Sequence, residues 1–180
     1  MEKRERFSKT IVAFFVLFFL WVSLQFIAPI LLPQASVVDL TGSTIIYDNE
    51  ETINEISFPW NAIYSTGDRL CHQIAERSFF INGNQMPFCS RCTAIWLGLA
   101  IGLGFMIFYK IQLDEKFIFI IILGLVPMGI DGLGQNFGFW ESTNIIRLIT
   151  GLITGIVCGV AIGLIIDEIK EIHQVKNIKK

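Results

Sequence analysis

The chain has 180 residues, 53% of them hydrophobic and 16 of them Phe, with a mean hydropathy of +0.59. Length gives one domain, and the composition excludes a soluble domain of this size, whose surface would need more polar cover. The net charge of −2 decides nothing by itself, but the lack of a basic stripe, internal repeat or low-complexity tract argues against a nucleic-acid partner.

Residues 1–10 mix Lys3, Arg4, Arg6 and Lys9 with two glutamates and are expected in the cytoplasm. Residues 11–32 carry no charge and only Ser23 and Gln25 as polar side chains, which is long enough for a first transmembrane helix. A cleaved signal peptide is disfavoured, because its apolar core runs only about 7–15 residues. Pro29 and Pro33 predict a kink or stop. Residues 33–92 form an extracytoplasmic loop. It begins acidic, with Asp39, Asp48, Glu50, Glu51 and Glu55 and no Lys or Arg before Arg69. Ser36 to Ile46 is read as a loop or a short strand pair. From Pro59 to Ser78, Ile63, Gly67, Leu70, Cys71, Ile74 and Ala75 recur at helical spacing, with Asp68, Arg69, Glu76 and Arg77 elsewhere on the wheel. That predicts an amphipathic helix on the membrane surface or over the bundle. Asn82-Gly83 predicts a two-residue turn, folding Cys71 back towards Cys89 and Cys92. Residues 93–166 hold three more spans, Thr93 to Tyr109, Phe117 to Gln135 and Asn144 to Ile166, and residues 167–180 form a charged cytoplasmic tail.

The expected fold is all-α: a polytopic membrane protein with four transmembrane helices and an extracytoplasmic amphipathic helix packed at the outer rim. With the N-terminus inside, Lys3, Arg4, Arg6, Lys9, Lys110, Lys116, Lys170, Lys176, Lys179 and Lys180 are cytoplasmic. Only Arg69, Arg77, Arg91 and Arg147 lie outside. The positive-inside rule therefore gives a multi-pass cell-membrane protein with both ends cytoplasmic.

Gly151, Gly155, Gly159 and Gly163 recur every fourth residue on the last span, and Ser90, Ala94, Gly98 and Gly102 do so on the second. Such rows let helix backbones approach closely. Arg147 continues the glycine row and so points into the bundle, where a charge needs a partner. Asp131 and Gln135, four apart on the third span, share a face; Glu141 and Asn144 follow in the turn and at the start of the fourth span. Two readings stand: a polar network that only holds helices together, or a pocket that binds or processes a ligand.

The densest chemistry lies in Cys71-His72-Gln73, Glu76-Arg77-Ser78 and Cys89-Ser90-Arg91-Cys92-Thr93. Together with Asp131-Gly132, Gln135, Gly138, Glu141, Asn144, Arg147 and Thr150-Gly151, these residues resemble the predicted membrane proteins of domain of unknown function 2085, over roughly residues 59–160. The resemblance implies a polytopic membrane protein with a shared outer-face site, and it carries no known reaction.

Three readings of the cysteine window stay open. Cys71, His72, Cys89 and Cys92 make a Cys₃His set suited to tetrahedral zinc, although adjacent Cys71 and His72 reach one ion only if the helix ends or bends there. Alternatively, Cys89 and Cys92 open a helix beside Arg91, where dipole and charge favour thiolate and redox exchange, with Cys71 as third partner. That layout looks like the quinone-coupled disulfide-forming membrane enzymes in arrangement only, and Cys158 is read as a packing residue. The third reading is a fixed disulfide from Cys71 to Cys89 or Cys92. Around this centre, Arg77, Arg91 and Arg147 with Asp131, Gln135, Glu141 and Asn144 are expected to wall a shallow pocket, and Gln73 joins Arg77 and Arg91 as a ligand-binding residue. An anionic lipid headgroup or other phosphate fits three arginines. In an enzymatic version Asp131 or Glu141 is the general base. The non-enzymatic version is a membrane scaffold or accessory subunit. His173 is expected to be solvated, and Trp21, Trp60, Trp96 and Trp140 to anchor or pack.

Overall fold

The computed structural model describes residues 2–3, 8–44 and 47–178, with side chains for 8–44 and 47–173. Arg4, Arg6, Lys179 and Lys180, used above for orientation, and the Ile45–Ile46 end of the stretch read as loop or strand pair lie outside the described residues. Four helices are long and apolar enough to cross a membrane: α1 (Lys9–Leu31), α4 (Ser90–Phe108), α5 (Glu115–Asn136) and α6 (Asn144–Ile178). Between α1 and α4 lie α2 (Glu50–Glu55), α3 (Trp60–Leu70) and a hairpin of β2 (Phe80–Ile81) and β3 (Asn84–Gln85). At the opposite end β1 (Glu2–Lys3) pairs with β4 (Tyr109–Lys110). The chain is thus the expected all-α polytopic membrane protein.

α4 and α6 form the centre, and their contact is backbone on backbone. A Cβ on Gly155 would lie 2.3 Å from the Ile95 carbonyl oxygen and 2.8 Å from Gly98 Cα. One on Gly102 would lie 2.3 Å from the Ile156 carbonyl, and one on Gly159 2.5 Å from that of Leu99. Lipid tails are as apolar as leucine, so burying leucine gains little here; close packing of small residues holds the pair instead. α1 packs on the other side of α4 through Trp96, stacked with Phe18 at 5.7 Å and edge-on to Trp21 at 6.2 Å. α5 rests on α6, where Gly124 receives the Val157 side chain and the Thr154 hydroxyl donates to the Gly124 carbonyl at 3.4 Å. Large apolar side chains of α1 and α5, such as Leu17, Leu20, Phe119 and Leu123, face outward, as lipid-facing positions do.

Residues 33–89 cap one end of this bundle. Their small core of Val37, Leu40, Ile53, Ile56 and Tyr64 packs on Ala28 of α1 and on Leu32, which caps that helix. Two buried amides organise it. Asn84 accepts from the backbone N–H groups of Ser36 and Val37 at 2.8 and 3.0 Å, and donates to the Pro29 and Pro33 carbonyls at 3.0 and 2.9 Å. Gln85 accepts from Leu40 N–H at 3.0 Å and donates to the Gln73 carbonyl. The Asn82-Gly83 turn forms as predicted, both residues having positive φ (54° and 73°), which the right-handed twist of a tight hairpin demands.

Four expectations need correction. The helix read over Pro59 to Ser78 stops at Leu70: Cys71 is extended, and the next carbonyls are taken by the Gly42 N–H, at His72, and the Gln85 amide, at Gln73. On the remaining helix Asp68 is buried, bonded to Asn49, while Leu70 is exposed. Ser36 to Thr44 takes the loop alternative, its N–H groups partly captured by Asn84 and Gln85, but α2 forms in a stretch read as loop. α6 does not end near Ile166 but continues through the charged segment to Ile178. The stop expected near the prolines is present: Pro29 lies inside α1, which ends at Leu31 ahead of Pro33.

Replacing Gly98 or Gly155 by leucine should cost at least about 2 kcal/mol and disperse the purified protein into aggregates, because backbone cannot yield as a side chain can. Gly129→Ala, in open space with no atom within 4 Å, should leave thermal stability in detergent unchanged or slightly raised.

Candidate functional site

Cys71 follows α3 directly, Cys89 is the N-cap of α4, and Cys92 lies in the first turn of α4. The hairpin returns the chain so that these segments meet. Gly67 makes the approach possible: a Cβ there would sit 1.9 Å from the Pro87 carbonyl oxygen. The three sulfurs lie within 4.8 Å of one another, and the Cys89 N–H points at Cys71 Sγ at 3.4 Å. All four cysteines are free, so the fixed-disulfide reading has no bond behind it here.

The thiols are not equivalent. Cys89 hydrogen-bonds with Cys71 and Cys92 and also faces the N–H groups of Arg91 and Cys92; these pull its pKa far below the ordinary thiol value. Cys71, hydrogen-bonded to Cys89 and buried, is pushed up to about 11. Cys89 is therefore the first thiolate and Cys71 keeps its proton. Tetrahedral zinc with bonds of about 2.3 Å sets its sulfurs about 3.8 Å apart. The observed grouping needs only a small contraction to reach that, so the donor set fits a thiophilic ion.

His72 is exposed and stands outside the three-sulfur group, although it lines the same pocket. Gln73, expected to bind ligand, lies beneath the site instead: it is fully buried with φ 45°, donates to the Pro87 carbonyl at 2.8 Å, and lines neither pocket described here. The first pocket, about 180 Å³, adjoins the sulfurs and is lined also by His72, Arg77, Arg91 and Arg147. The second, about 260 Å³, shares Arg77 and Arg147 with the first and adds Glu76, Gln135, Glu141 and Ser142.

The polar wall has a definite wiring. Arg91 of α4 pairs with Asp131 of α5, and the Ser142 hydroxyl donates to the same carboxylate oxygen at 2.9 Å. Arg147 of α6, only 5% exposed, donates to the amide oxygens of Gln135 and Asn144, each at 3.2 Å. Asn144 in turn accepts from Ser90 at 2.9 Å and donates to the Glu76 carbonyl at 3.2 Å. Arg147 therefore has neutral partners while Arg77 and Arg91 repel it; Asp131 and Cys89 attract it from further off. Glu141 is exposed at the mouth of the second pocket. Of the residues expected to wall a pocket, Arg77, Arg91, Arg147, Gln135 and Glu141 line one or both, Asp131 and Asn144 line neither and act as partners of the arginines, and Gln73 lies below. Sequence reasoning missed Ser142 as a partner of Asp131, and its only signal was adjacency to Glu141.

A family model described as predicted membrane protein, domain of unknown function 2085, matches residues 71–163. The chain belongs to this family. The matched residues begin at Cys71 and take in all three sulfurs and the whole arginine wall. An uncharacterized protein of Methanocaldococcus jannaschii is 40% identical over 104 residues, covering 56% of this chain and 66% of the relative. An uncharacterized protein of Methanothermobacter thermautotrophicus is 36% identical over 82 residues, covering 46% of this chain and 74% of the relative. No solved structure matches the chain. The family thus supplies membrane character, and the site's chemistry follows from its residues.

Removing one partner of the Arg91–Asp131 pair strands the other. Arg91→Ala and Asp131→Asn should each lower stability by about 2 kcal/mol, less than a fully buried pair because the Arg91 side chain is 24% exposed. The double variant should lose less than the sum of the two in thermal unfolding.

Proposed function

We propose that this protein is an extracytoplasmic-face metal-thiolate protein of the cell membrane. Cys71, Cys89 and Cys92 hold a zinc ion, and the adjoining arginine pocket binds a phosphate group, free or on an anionic lipid. The observation that carries the reading is the convergence of three free sulfurs from two segments, beside an arginine whose hydrogen-bond partners among the described residues are amide oxygens. His72, on the rim of the same pocket, is the proposed fourth ligand.

The charges support the pairing. Three thiolates around a divalent ion leave one negative charge, which favours Arg91 and Arg147 beside them. Arg77 and Arg147 then carry positive charge in excess of Asp131, and guanidinium is suited to phosphate oxygens. Bound zinc would supply a fixed cation beside the arginines. The chain's own residues do the rest: Arg147 and Arg77 orient the anion, Asp131 and Ser142 hold Arg91 in place, and Glu141 is the exposed carboxylate able to take a proton. Orientation rests on charge: Lys110, Lys116 and Lys170 gather at the end opposite the sulfurs, which fits that end in the cytoplasm.

The low-pKa Cys89 at a helix N-terminus also favours thiol-disulfide exchange, which needs an external disulfide or oxidant as partner. Metal analysis separates the two. Protein purified without chelator should carry stoichiometric zinc. Cys89→Ser and Cys92→Ser should lose most of it, and Cys158→Ser should keep it. Zinc binding should weaken as pH falls from about 8 to 6, since thiols that hold protons must release them to bind. Zinc-free protein whose thiols cycle with a dithiol would refute the metal reading.

A further inference from the structure

The second pocket differs in kind from a plain anion site. Its lining holds the exposed Arg77 and the buried Arg147. It also holds Glu76 and Glu141, both exposed, and among the described residues neither carboxylate has an ion-pair partner. Charges of both signs thus line one space of about 260 Å³, and among the described residues no ion pair closes between them. A simple phosphate would satisfy the arginines and be repelled by the glutamates. A ligand carrying both charges would satisfy both sets of side chains.

We infer that the arginine pocket takes a zwitterionic aminoalkyl phosphate, of the phosphoethanolamine class, with its phosphate on Arg77 and Arg147 and its ammonium on Glu141 and Glu76. This rests on the phosphate reading above and names the ligand's second charge. The same chemistry is offered by a free aminoalkyl phosphate or by a lipid headgroup. Arg147 supplies the fixed end, because its guanidinium is held by Gln135 and Asn144 and among the described residues pairs with no carboxylate. Glu141, in the turn between α5 and α6, supplies discrimination, because an exposed carboxylate can meet an ammonium without leaving water entirely.

The test is calorimetric titration of the zinc-loaded full chain in phosphatidylglycerol nanodiscs, using phosphoethanolamine and ethyl phosphate, which lacks only the amine. Phosphoethanolamine should bind about fivefold more tightly. Glu141→Gln should erase that preference without weakening ethyl phosphate, and Glu141→Lys should invert it; Glu76→Gln provides a second, smaller reduction. Equal binding of the two probes to the unaltered protein, or a preference that survives in both glutamine variants, overturns the inference and leaves the phosphate reading intact. Binding of neither probe overturns both. Doping the nanodiscs with phosphatidylethanolamine distinguishes the source: loss of phosphoethanolamine binding marks the lipid headgroup as occupant, and unchanged binding marks the free compound.

Discussion

The backbone contact between α4 and α6 sets the position of everything at the cysteine end. Glycines at every fourth residue bring the two helices so close that each carbonyl row touches the other's Cα atoms. Following the row towards the cap, Gly155 gives way to Gly151 and then to Arg147, while Gly98 gives way to Ala94 and Ser90. The first side chain of any size on the row is therefore an arginine. The helix that receives it begins with Cys89, Arg91 and Cys92. The spacing that packs the bundle thus also places a guanidinium beside the sulfurs, and neither could move far without opening the glycine seam.

Around that seam the charges are distributed unequally. Asp131 is committed to Arg91 and Ser142, which ties α5 to α4 across a gap where the two helices otherwise meet little. Among the described residues Arg147 donates to amide oxygens alone, so its charge is solvated but not cancelled. In a membrane-spanning helix such a charge is costly, and it persists where structure or ligand compensates. The cap contributes the remaining pieces, Cys71 and Arg77, through a loop whose path is dictated by buried amides rather than by helix or sheet.

Much of this was legible in the sequence. Four apolar runs, two rows of small residues and an Asn-Gly turn have simple signatures, and the structure follows them. So does the gathering of Cys71, Cys89 and Cys92, since the turn brings the segments together. The cap was harder to read. The helical pattern of Ile63, Gly67, Cys71 and Ile74 runs past the point where hydrogen bonds from Gly42 and Gln85 claim the backbone, so the apolar period misplaced the helix end. Ending at Leu70 also frees Cys71 to turn its sulfur inward while His72 faces out. Gln73, read as a ligand-binding residue, is fully buried, and so are Asn84 and Gln85, because each satisfies backbone groups of a distant segment. Which arginine Asp131 would face depended on the register of α5 against α4, which no single-chain period encodes.

The central claim is that three cysteine sulfurs from the cap and α4 form one metal centre. X-ray absorption at the zinc edge of the purified protein tests it most directly. The account predicts a first shell with three sulfurs at about 2.3 Å and one lighter donor at about 2.0–2.1 Å. A shell made only of nitrogen and oxygen, or one unchanged when Cys71 is replaced by serine, would contradict it.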